Sequence, residues 1–452
     1  MADRFDAVVI GTGPAGEVAA GELADGGMKV AAVERELVGG ECGYWACIPS
    51  KTMLRPGEAL AAARHAPGAR EAVTGELAVG EALGWRDFMV SDWDDKHQVE
   101  WLDGKGVELV RGQARITGPG TLRAGDRTLE TERILVATGS DPAIPPIDGL
   151  ASVDYWTNRG ATEAKEVPER LIVLGGGPVG VELAQAFARY GSSVALVEGS
   201  PTVLAREAAR AGEALQQALA DDGVDLHTGR HAQSVGGDKG VTVELDDGTS
   251  LRGDRLLVAT GRRARSGEVG LDAVGIEPGK RGVEVDERLR AGEGVWAVGD
   301  VTGISMFTHV GKYQARIAAR DMLGKQARAS YGAIPRVVFS DPQVAAVGRN
   351  EEQAREDGAN VVSSTIELAE VTRTSTYNRD YAKVPGFLTL VADRRRGVLV
   401  GAYAVGPEAG EWLQQATLAV RAEVSVHVLR DTIQPFPTFS EAFVSALGGL
   451  DL

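Results

Sequence analysis

Both cysteines of this 452-residue chain, Cys42 and Cys47, lie in one short stretch. An undistorted helix would separate residues five apart by about 7.5 Å along its axis, whereas the Cα atoms of a disulfide lie about 4.4 to 6.8 Å apart. A segment that joins the two sulfurs must therefore bend, and Pro49 favours a bend because it has no N–H for the carbonyl of Trp45. We expect a helix from near Ser50, whose dipole would favour the Cys47 thiolate. The spacing indicates a redox pair rather than two thiols packed in a core.

Two glycine-rich turns are candidates for binding dinucleotides. Each follows an apolar strand and opens a helix, at residues 11–16 (GTGPAG) and 175–180 (GGGPVG). Such turns let the backbone approach a pyrophosphate, whose charge is stabilised by the N–H groups and dipole of the helix start. The next strand of each copy ends in an acid, Glu34 or Glu198, 23 residues after the first glycine. An acid there accepts hydrogen bonds from a ribose 2′-hydroxyl and repels a 2′-phosphate, so the two complete copies predict two dinucleotide sites.

A second repeat supports an α/β fold with parallel sheets. Residues 133–139 (RILVATG) and 255–261 (RLLVATG) form nearly the same heptad, and each predicts a buried parallel strand that enters a tight turn. Residues 141–146 (DPAIPP) predict a stiff connector at a domain boundary. At about 150 residues per domain, the length favours roughly three domains.

The composition narrows the choice of partners and of compartment. The chain has 48 Lys and Arg residues and 64 Asp and Glu residues, which gives a net charge of −16. This negative charge makes nucleic acid and anionic membrane surfaces poor partners. No run of about twenty apolar residues predicts a membrane span. The first residues lead directly into a strand and leave no room for a signal peptide, so we expect a cytoplasmic protein. In that compartment, closely spaced cysteines are more often catalytic than structural.

Together these features resemble the flavin-dependent pyridine nucleotide-disulfide oxidoreductases, the family of dihydrolipoamide dehydrogenase, glutathione reductase and mercuric reductase. The specific signals are a Cys-x4-Cys pair followed by Pro-Ser-Lys, the paired Ala-Thr-Gly turns and a later Val-Gly-Asp. The resemblance implies an α/β fold with two Rossmann-like dinucleotide-binding domains, for FAD and NAD, and an α+β C-terminal dimerisation domain. It divides the chain into an FAD domain (1–150 and 266–330), an NAD(P) domain (151–265) and an interface domain (331–452).

The resemblance also assigns roles to single residues. Cys47 matches the flavin-side sulfur, and Cys42 matches the thiol that meets the substrate. Lys51 matches the lysine near flavin N5, where a cation would stabilise charge on the reduced ring, and Glu182 matches its acidic partner. Glu198 favours NADH over NADPH, and no metal is implied. The implied contacts are Gly11, Gly13, Pro14, Ala15, Gly16, Glu34, Gly40, Lys51, Thr138, Gly139, Asp300 and His309 for FAD, and Gly175, Gly177, Gly180, Glu198 and Gly261 for NAD.

One position departs from the family pattern. Most disulfide reductases of the family carry His-x-His-Pro-Thr-x-x-Glu near the C-terminus, and its histidine moves protons in the active site of the other subunit. Here the run at 434–441 is QPFPTFSE, with Phe436 in the place of that histidine and the final acid kept as Glu441. Phenylalanine cannot accept a proton, so a general acid/base contribution of about a hundred- to ten-thousandfold is absent at this position.

We therefore expect an FAD-dependent NAD(P)H oxidoreductase, similar to dihydrolipoamide dehydrogenase but without the histidine base, whose redox-active disulfide Cys42–Cys47 passes electrons from NADH via flavin to a disulfide or an unusual thiol-linked acceptor. The loss of the histidine points away from efficient reduction of a small disulfide such as lipoamide or glutathione. Three alternatives stay open: a quinone or dye reductase that uses flavin directly, a carboxylase-type reductive cleavage enzyme with phenylalanine at this position, and a low-turnover redox sensor or scaffold. Mercuric reductase shares the Phe-Pro pair, but the C-terminal cysteines that it uses are missing here. The implied homodimer would bring Phe436 and Glu441 to the cysteine pair of the other subunit.

Overall fold

The structure is a computed structural model, and it describes residues 2–237, 239–378, 384 and 386–452. The chain divides into two compact units. The first unit comprises Met1–Ser50, Gly84–Ala143 and Gly261–Ser330, and the second comprises Lys51–Leu83, Ile144–Thr260 and Tyr331–Leu452. The division into three domains that the family resemblance implies stays a prediction.

The helices are α1 (Pro14–Asp25), α2 (Gly40–Tyr44), α3 (Cys47–His65), α4 (Val79–Met89), α5 (Lys96–Gly104), α6 (Asn158–Glu163), α7 (Pro178–Arg189), α8 (Ala209–Asp221), α9 (Thr308–Met322), α10 (Glu351–Glu356), α11 (Thr372–Tyr377), α12 (Ala409–Trp412), α13 (Gln414–Arg421), α14 (Val426–Arg430) and α15 (Ala442–Gly448).

Within the described residues, strands form three sheets in the first unit and three in the second. The predicted α/β fold is confirmed, because parallel strands with intervening helices form the largest sheet of the first unit. The strands are β1 (Asp3–Arg4), β2 (Ala7–Ile10), β3 (Val30–Glu34), β4 (Glu108–Arg111), β5 (Ala114–Gly118), β6 (Thr121–Ala124), β7 (Arg127–Glu130), β8 (Ile134–Val136), β9 (Ser140–Pro142), β10 (Arg170–Leu174), β11 (Ser193–Glu198), β12 (Asp225–Thr228), β13 (Ala232–Gly236), β14 (Val241–Leu245), β15 (Ser250–Gly253), β16 (Arg255–Val258), β17 (Arg262–Ala264), β18 (Arg290–Gly292), β19 (Val295–Ala297), β20 (Pro335–Val338), β21 (Gln343–Gly348), β22 (Val361–Glu367), β23 (Phe387–Asp393) and β24 (Val398–Gly406).

The first unit is built on a six-stranded sheet in the order β18-β19-β8-β2-β3-β4. Neighbouring residues of a strand point to opposite faces, and here both faces are buried. Ala7 and Val9 of β2 pack with α1 and α9 on one face, and Val8 and Ile10 pack with the small sheet of β5, β6 and β7 on the other. This double burial accounts for the continuous apolar run in β2.

The second unit repeats this plan and adds a further sheet. Its parallel sheet has the order β12-β11-β10-β16. Leu171 and Val173 of β10 pack with α7, while Ile172 and Leu174 pack with the antiparallel sheet of β13, β14 and β15. The added sheet is antiparallel, in the order β20-β21-β24-β23-β22. One of its faces is covered by residues of α12, α13 and α15.

The repeated heptads form the strands that the sequence predicts. Residues 134–136 form β8, which runs parallel to β2 and β19, and residues 255–258 form β16, which runs parallel to β10. Each strand lies beside the strand that enters a glycine turn. The two turns are therefore held at the carboxyl ends of buried strands, where ligands of such sheets bind.

The chain between the two cysteines bends, as predicted, but the following helix begins earlier than expected. Helix α2 ends at Tyr44, and α3 begins at Cys47 rather than near Ser50. Pro49 thus lies in the first turn of α3, where its missing N–H leaves no helical hydrogen bond unmade. The break between the helices lies at Trp45 and Ala46. Within the described residues, no helix is long and apolar enough to cross a membrane.

Candidate redox and nucleotide sites

The three glycines of the first turn occupy three different environments. Gly11 has φ +94°, and a Cβ there would lie 2.5 Å from the carbonyl oxygen of Ala137. A Cβ at Gly16 would lie 1.9 Å from the carbonyl oxygen of Gly11, so α1 packs directly on the turn. A Cβ at Gly13 would meet nothing within 4 Å. The middle glycine therefore leaves open space at the start of α1, where unpaired backbone N–H groups can receive an anion.

The second turn has the same geometry. Gly175 has φ +107°, and a Cβ there would lie 2.5 Å from the carbonyl oxygen of Ala259. A Cβ at Gly180 would lie 1.8 Å from the carbonyl oxygen of Gly175, while a Cβ at Gly177 would again meet nothing within 4 Å. Each unit thus has open space beside a helix N-terminus, where the N–H groups can bind a phosphate.

Each of the two acids accepts a hydrogen bond from a backbone N–H of the glycine turn in its own unit. Glu34 accepts hydrogen bonds from the backbone N–H and the hydroxyl of Thr12, both at 2.8 Å. Glu198 accepts from the N–H of Gly176 at 2.6 Å and from the N–H of Ser200 at 2.7 Å. Both carboxylates therefore point at their own glycine turns. Their contacts with a ribose stay a prediction.

The two cysteines lie side by side at the break between α2 and α3. The thiol of Cys42 donates to Sγ of Cys47 across 2.7 Å. Thr308, the first residue of α9, donates from its hydroxyl to Cys42 Sγ at 3.1 Å and lies 3.4 Å from Cys47 Sγ. The hydrogen bond to Cys47 and burial raise the pKa of Cys42, while Thr308 and Lys312 oppose that rise. Cys47 is the first residue of α3, where the helix dipole favours a thiolate.

Lys51 and Glu182, which the resemblance pairs, form an ion pair in the second unit. Lys51 Nζ lies 2.6 Å from one carboxylate oxygen of Glu182. The other oxygen accepts from the backbone N–H of Phe339 at 2.9 Å, and Lys51 Nζ lies 4.9 Å from the centre of the Phe339 ring. Because Glu182 is nearly fully buried, its carboxylate needs these partners to compensate for the loss of water. The ammonium group is held at a fixed point.

Asp300 belongs to a hydrogen-bonded chain that the sequence did not reveal. It follows β19 and accepts from the Ser140 hydroxyl at 2.6 Å, and the Ser140 oxygen in turn accepts from Arg262 Nε at 2.7 Å. Burial raises the pKa of Asp300, while Ser140 and Arg262 oppose this rise. Ser140 and Arg262 directly follow Gly139 and Gly261. The repeated Ala-Thr-Gly turns were therefore the available signal for both residues.

The remaining predicted FAD residues of the first unit lie on α1, α2, α9 and the turn after β8. Gly40 opens α2, and a Cβ there would lie 2.8 Å from Cα of Gly13. The Thr138 hydroxyl donates to the carbonyl oxygen of Arg265 at 2.6 Å. His309 stacks its ring on Phe307 at 5.2 Å between centroids. Pro14 and Ala15 are the first residues of α1, and Gly261, predicted for the NAD site, lies in the first unit.

In the C-terminal part of the second unit, Phe436 and Glu441 lie in different surroundings. The side chain of Phe436 is 68 % exposed. One carboxylate oxygen of Glu441 is buried and has no hydrogen-bond partner within the described residues. A buried carboxylate oxygen without a partner is costly. The contribution of these residues to another subunit stays a prediction.

Family models match most of the chain. The model of the pyridine nucleotide-disulphide oxidoreductases matches residues 5–315, and the model of their dimerisation domain matches residues 334–447. The chain belongs to this family. The resemblance inferred from the sequence is confirmed, and the protein is a pyridine nucleotide-dependent flavoprotein whose dimerisation domain supports a homodimer.

Individual relatives of the oxidoreductase family align along nearly the whole chain. Mercuric reductase of Staphylococcus aureus is 33 % identical over 445 residues, which cover 97 % of this chain and 81 % of the relative. Dihydrolipoyl dehydrogenase of Thermus scotoductus is 35 % identical over 458 residues, which cover 99 % and 97 %. The HOCl-induced flavoprotein disulfide reductase RclA from Escherichia coli superposes with a TM-score of 0.86 at 28 % identity, covering 98 % and 99 %. LpdA from Mycobacterium tuberculosis superposes with a TM-score of 0.86 at 26 % identity, covering 99 % of each chain.

The residues of the first unit fit the FAD that this oxidoreductase family uses. The open face at Gly13 leaves room for a pyrophosphate, and Glu34 lies at the end of the neighbouring strand. Asp300 is a largely buried acid on the loop after β19, at the same carboxyl edge of the sheet. These are the positions where an α/β sheet holds the phosphates and sugar hydroxyls of a dinucleotide.

Two alanine substitutions in the second turn should separate nucleotide binding from folding. Gly177→Ala adds a methyl group in open space, so we expect normal folding and weaker binding of the reduced nicotinamide nucleotide by about tenfold or more. Gly180→Ala puts the methyl group into the carbonyl of Gly175 and should lower stability by about 1–3 kcal/mol. Thermal melting and nucleotide titration measure the two effects. Normal nucleotide affinity in Gly177→Ala would contradict the assignment of this turn.

Proposed function

We propose that this protein is an NADH-dependent disulfide reductase in which Cys42 and Cys47 carry electrons to a small disulfide or thiol-linked acceptor. The observation that carries the proposal is the contact of 2.7 Å between the two sulfurs at the start of α3. A pair in this position can exchange between dithiol and disulfide with little movement of the backbone. When bound, FAD supplies hydride acceptance from the nicotinamide and two-electron transfer to the cysteine pair.

Cys47 and Cys42 take different roles in this proposal. Cys47 is the first residue of α3, so the helix dipole favours its thiolate, and we assign it the flavin side. Cys42 is the sulfur to which Thr308 donates at the shorter distance, and we assign it to attack the acceptor. The hydroxyl of Thr308 can donate to a thiolate at either sulfur during exchange.

The Lys51–Glu182 pair supports the reduction step. By resemblance we assign Lys51 the position beside flavin N5. Its ammonium group is held by a buried carboxylate and by the ring of Phe339, so it needs no rearrangement to stabilise negative charge. The charge of Glu182 is needed to orient this cation.

The acceptor differs from those of reductases that use the C-terminal histidine. Phe436 cannot exchange a proton, and mercuric reductases are among the relatives of this chain. We infer that the acceptor is a disulfide or thiol-linked compound whose reduction does not depend on that histidine. A reductase that sends electrons directly from flavin to quinones would not need the contact between Cys42 and Cys47.

Serine substitutions of the two cysteines test this function. We expect Cys42→Ser and Cys47→Ser each to lower NADH-dependent disulfide reduction by about a hundredfold or more, because serine cannot form the exchange intermediate. Flavin reduction by NADH should change much less, and stopped-flow absorbance measures it separately. Unchanged disulfide turnover in Cys42→Ser would overturn the proposal and favour electron transfer directly from flavin.

Glu198 should set the preference for NADH. Glu198→Gln removes the charge that repels a 2′-phosphate while keeping the side-chain size, so the ratio of kcat/KM for NADH over NADPH should fall by about tenfold. Glu213→Gln changes an exposed acid of α8 and is the matched control. An unchanged ratio in Glu198→Gln would show that another group selects the nucleotide.

A further inference from the structure

A cavity of about 360 Å³ lies within the first unit. Three helices form its wall, and two of its side chains are an acid and a base, Glu17 on α1 and Lys312 on α9. Helix α5 supplies the aromatic ring of Trp101. The lining residues are Glu17, Val18, His97, Gln98, Trp101 and Lys312.

Two connections tie this cavity to the cysteine pair. Lys312 lies one helical turn after Thr308 on α9, so the two side chains share a face, and the Thr308 hydroxyl contacts both sulfurs. On the opposite side, the Tyr44 hydroxyl donates to Gln98 Oε1 at 3.0 Å, and Tyr44 is two residues from Cys42. Lys312 also interacts electrostatically with both Cys42 and Glu17. The charged wall of the cavity and the cysteine turn therefore belong to one packed assembly.

We propose that Glu17 on the wall of this cavity, balanced by Lys312, donates the proton that the departing thiolate takes up when an acceptor disulfide meets Cys42. This inference rests on the proposed disulfide reductase function and adds the group that replaces the histidine absent at position 436. Glu17 comes from the same subunit as Cys42. Lys312 is a positioning residue, because it acts through the charge of Glu17.

The surroundings of Glu17 raise its pKa into the range where the carboxyl group can donate a proton near neutral pH. Burial raises the pKa of Glu17 to about 7, Lys312 opposes the rise, and Glu34 on β3 adds to it. On α2, burial and then Asp95 raise the pKa of Tyr44 to about 12, so that phenol stays neutral. On α5, His97 is exposed. A donor whose pKa lies near the working pH is the most effective general acid.

The exchange balances in protons and electrons. The reduced centre begins with a Cys42 thiol, a Cys47 thiolate and a neutral Glu17. Cys42 passes its proton to the Cys47 thiolate and attacks the acceptor disulfide, and Glu17 protonates the first departing thiolate, which leaves the Glu17 carboxylate. Cys47 then attacks Cys42 and gives its proton to the second departing thiolate, so one disulfide breaks in the acceptor and one forms in the protein. NADH supplies a hydride and solvent supplies one proton to restore the starting state.

The test compares two disulfides that differ in the basicity of the thiolate they release. Bis(2-hydroxyethyl) disulfide releases a basic thiolate that must be protonated, and 5,5′-dithiobis(2-nitrobenzoate) releases a weakly basic one. For the wild type, kcat/KM with the alkyl disulfide should fall as the pH rises through about 7, since Glu17 loses its proton there. Glu17→Gln should lower this value by about a hundredfold at pH 6 and abolish that pH dependence. With the aryl disulfide, the loss should be below about threefold.

Two further variants test the role of Glu17 without replacing it. Lys312→Met removes the cation that opposes the raised pKa of Glu17, so the fall with pH should move upward by about one pH unit. Glu22→Gln, an exposed acid on the same helix, should leave the profile unchanged. If Glu17→Gln does not bind flavin, the shift in Lys312→Met decides the question. An active enzyme whose pH profile is the same in Glu17→Gln or in Lys312→Met overturns this inference alone, whereas a wild type that reduces neither disulfide overturns the disulfide reductase function as well.

Discussion

The close approach of a helix to the turn that precedes it is the constraint on which both nucleotide sites depend. A Cβ at Gly16 or Gly180 would lie within 2 Å of a carbonyl oxygen of its own turn, so the helix can sit there only if those residues are glycine. This contact aims the first N–H groups of α1 and α7 at open space beside the middle glycine. Charge at the helix N-terminus, rather than a cationic side chain, can then hold the pyrophosphate.

The cysteine pair is positioned by the same first unit but by different contacts. The break between α2 and α3 brings Cys42 against Cys47, and the start of α9 supplies the Thr308 hydroxyl to both sulfurs. Lys312, one turn further along α9, extends the same helix face to the cavity that contains Glu17. A single helix therefore connects the redox pair to the proposed source of protons. We propose that this arrangement supports disulfide exchange in a chain with Phe436.

The features predicted from the sequence are those set by short-range pattern and covalent spacing. The glycine turns, the acids that end β3 and β11 and the repeated strands follow from motifs, whereas the Lys51–Glu182 pair follows from the family resemblance. The sequence predicts a start of α3 near Ser50, after Pro49, whereas the helix begins at Cys47 because its first turn tolerates proline. Thr308, Glu17 and Lys312 were not found, because their importance comes from packing between helices far apart in sequence.

The central claim is that electrons from the nicotinamide nucleotide reach the pair formed by Cys42 and Cys47. Anaerobic titration of the flavin-loaded protein with NADH, followed by absorbance and by counting of thiols after denaturation, tests it most directly. We predict a long-wavelength charge-transfer band and two new titratable thiols per subunit. Bleaching of the flavin without any new thiol would contradict the claim.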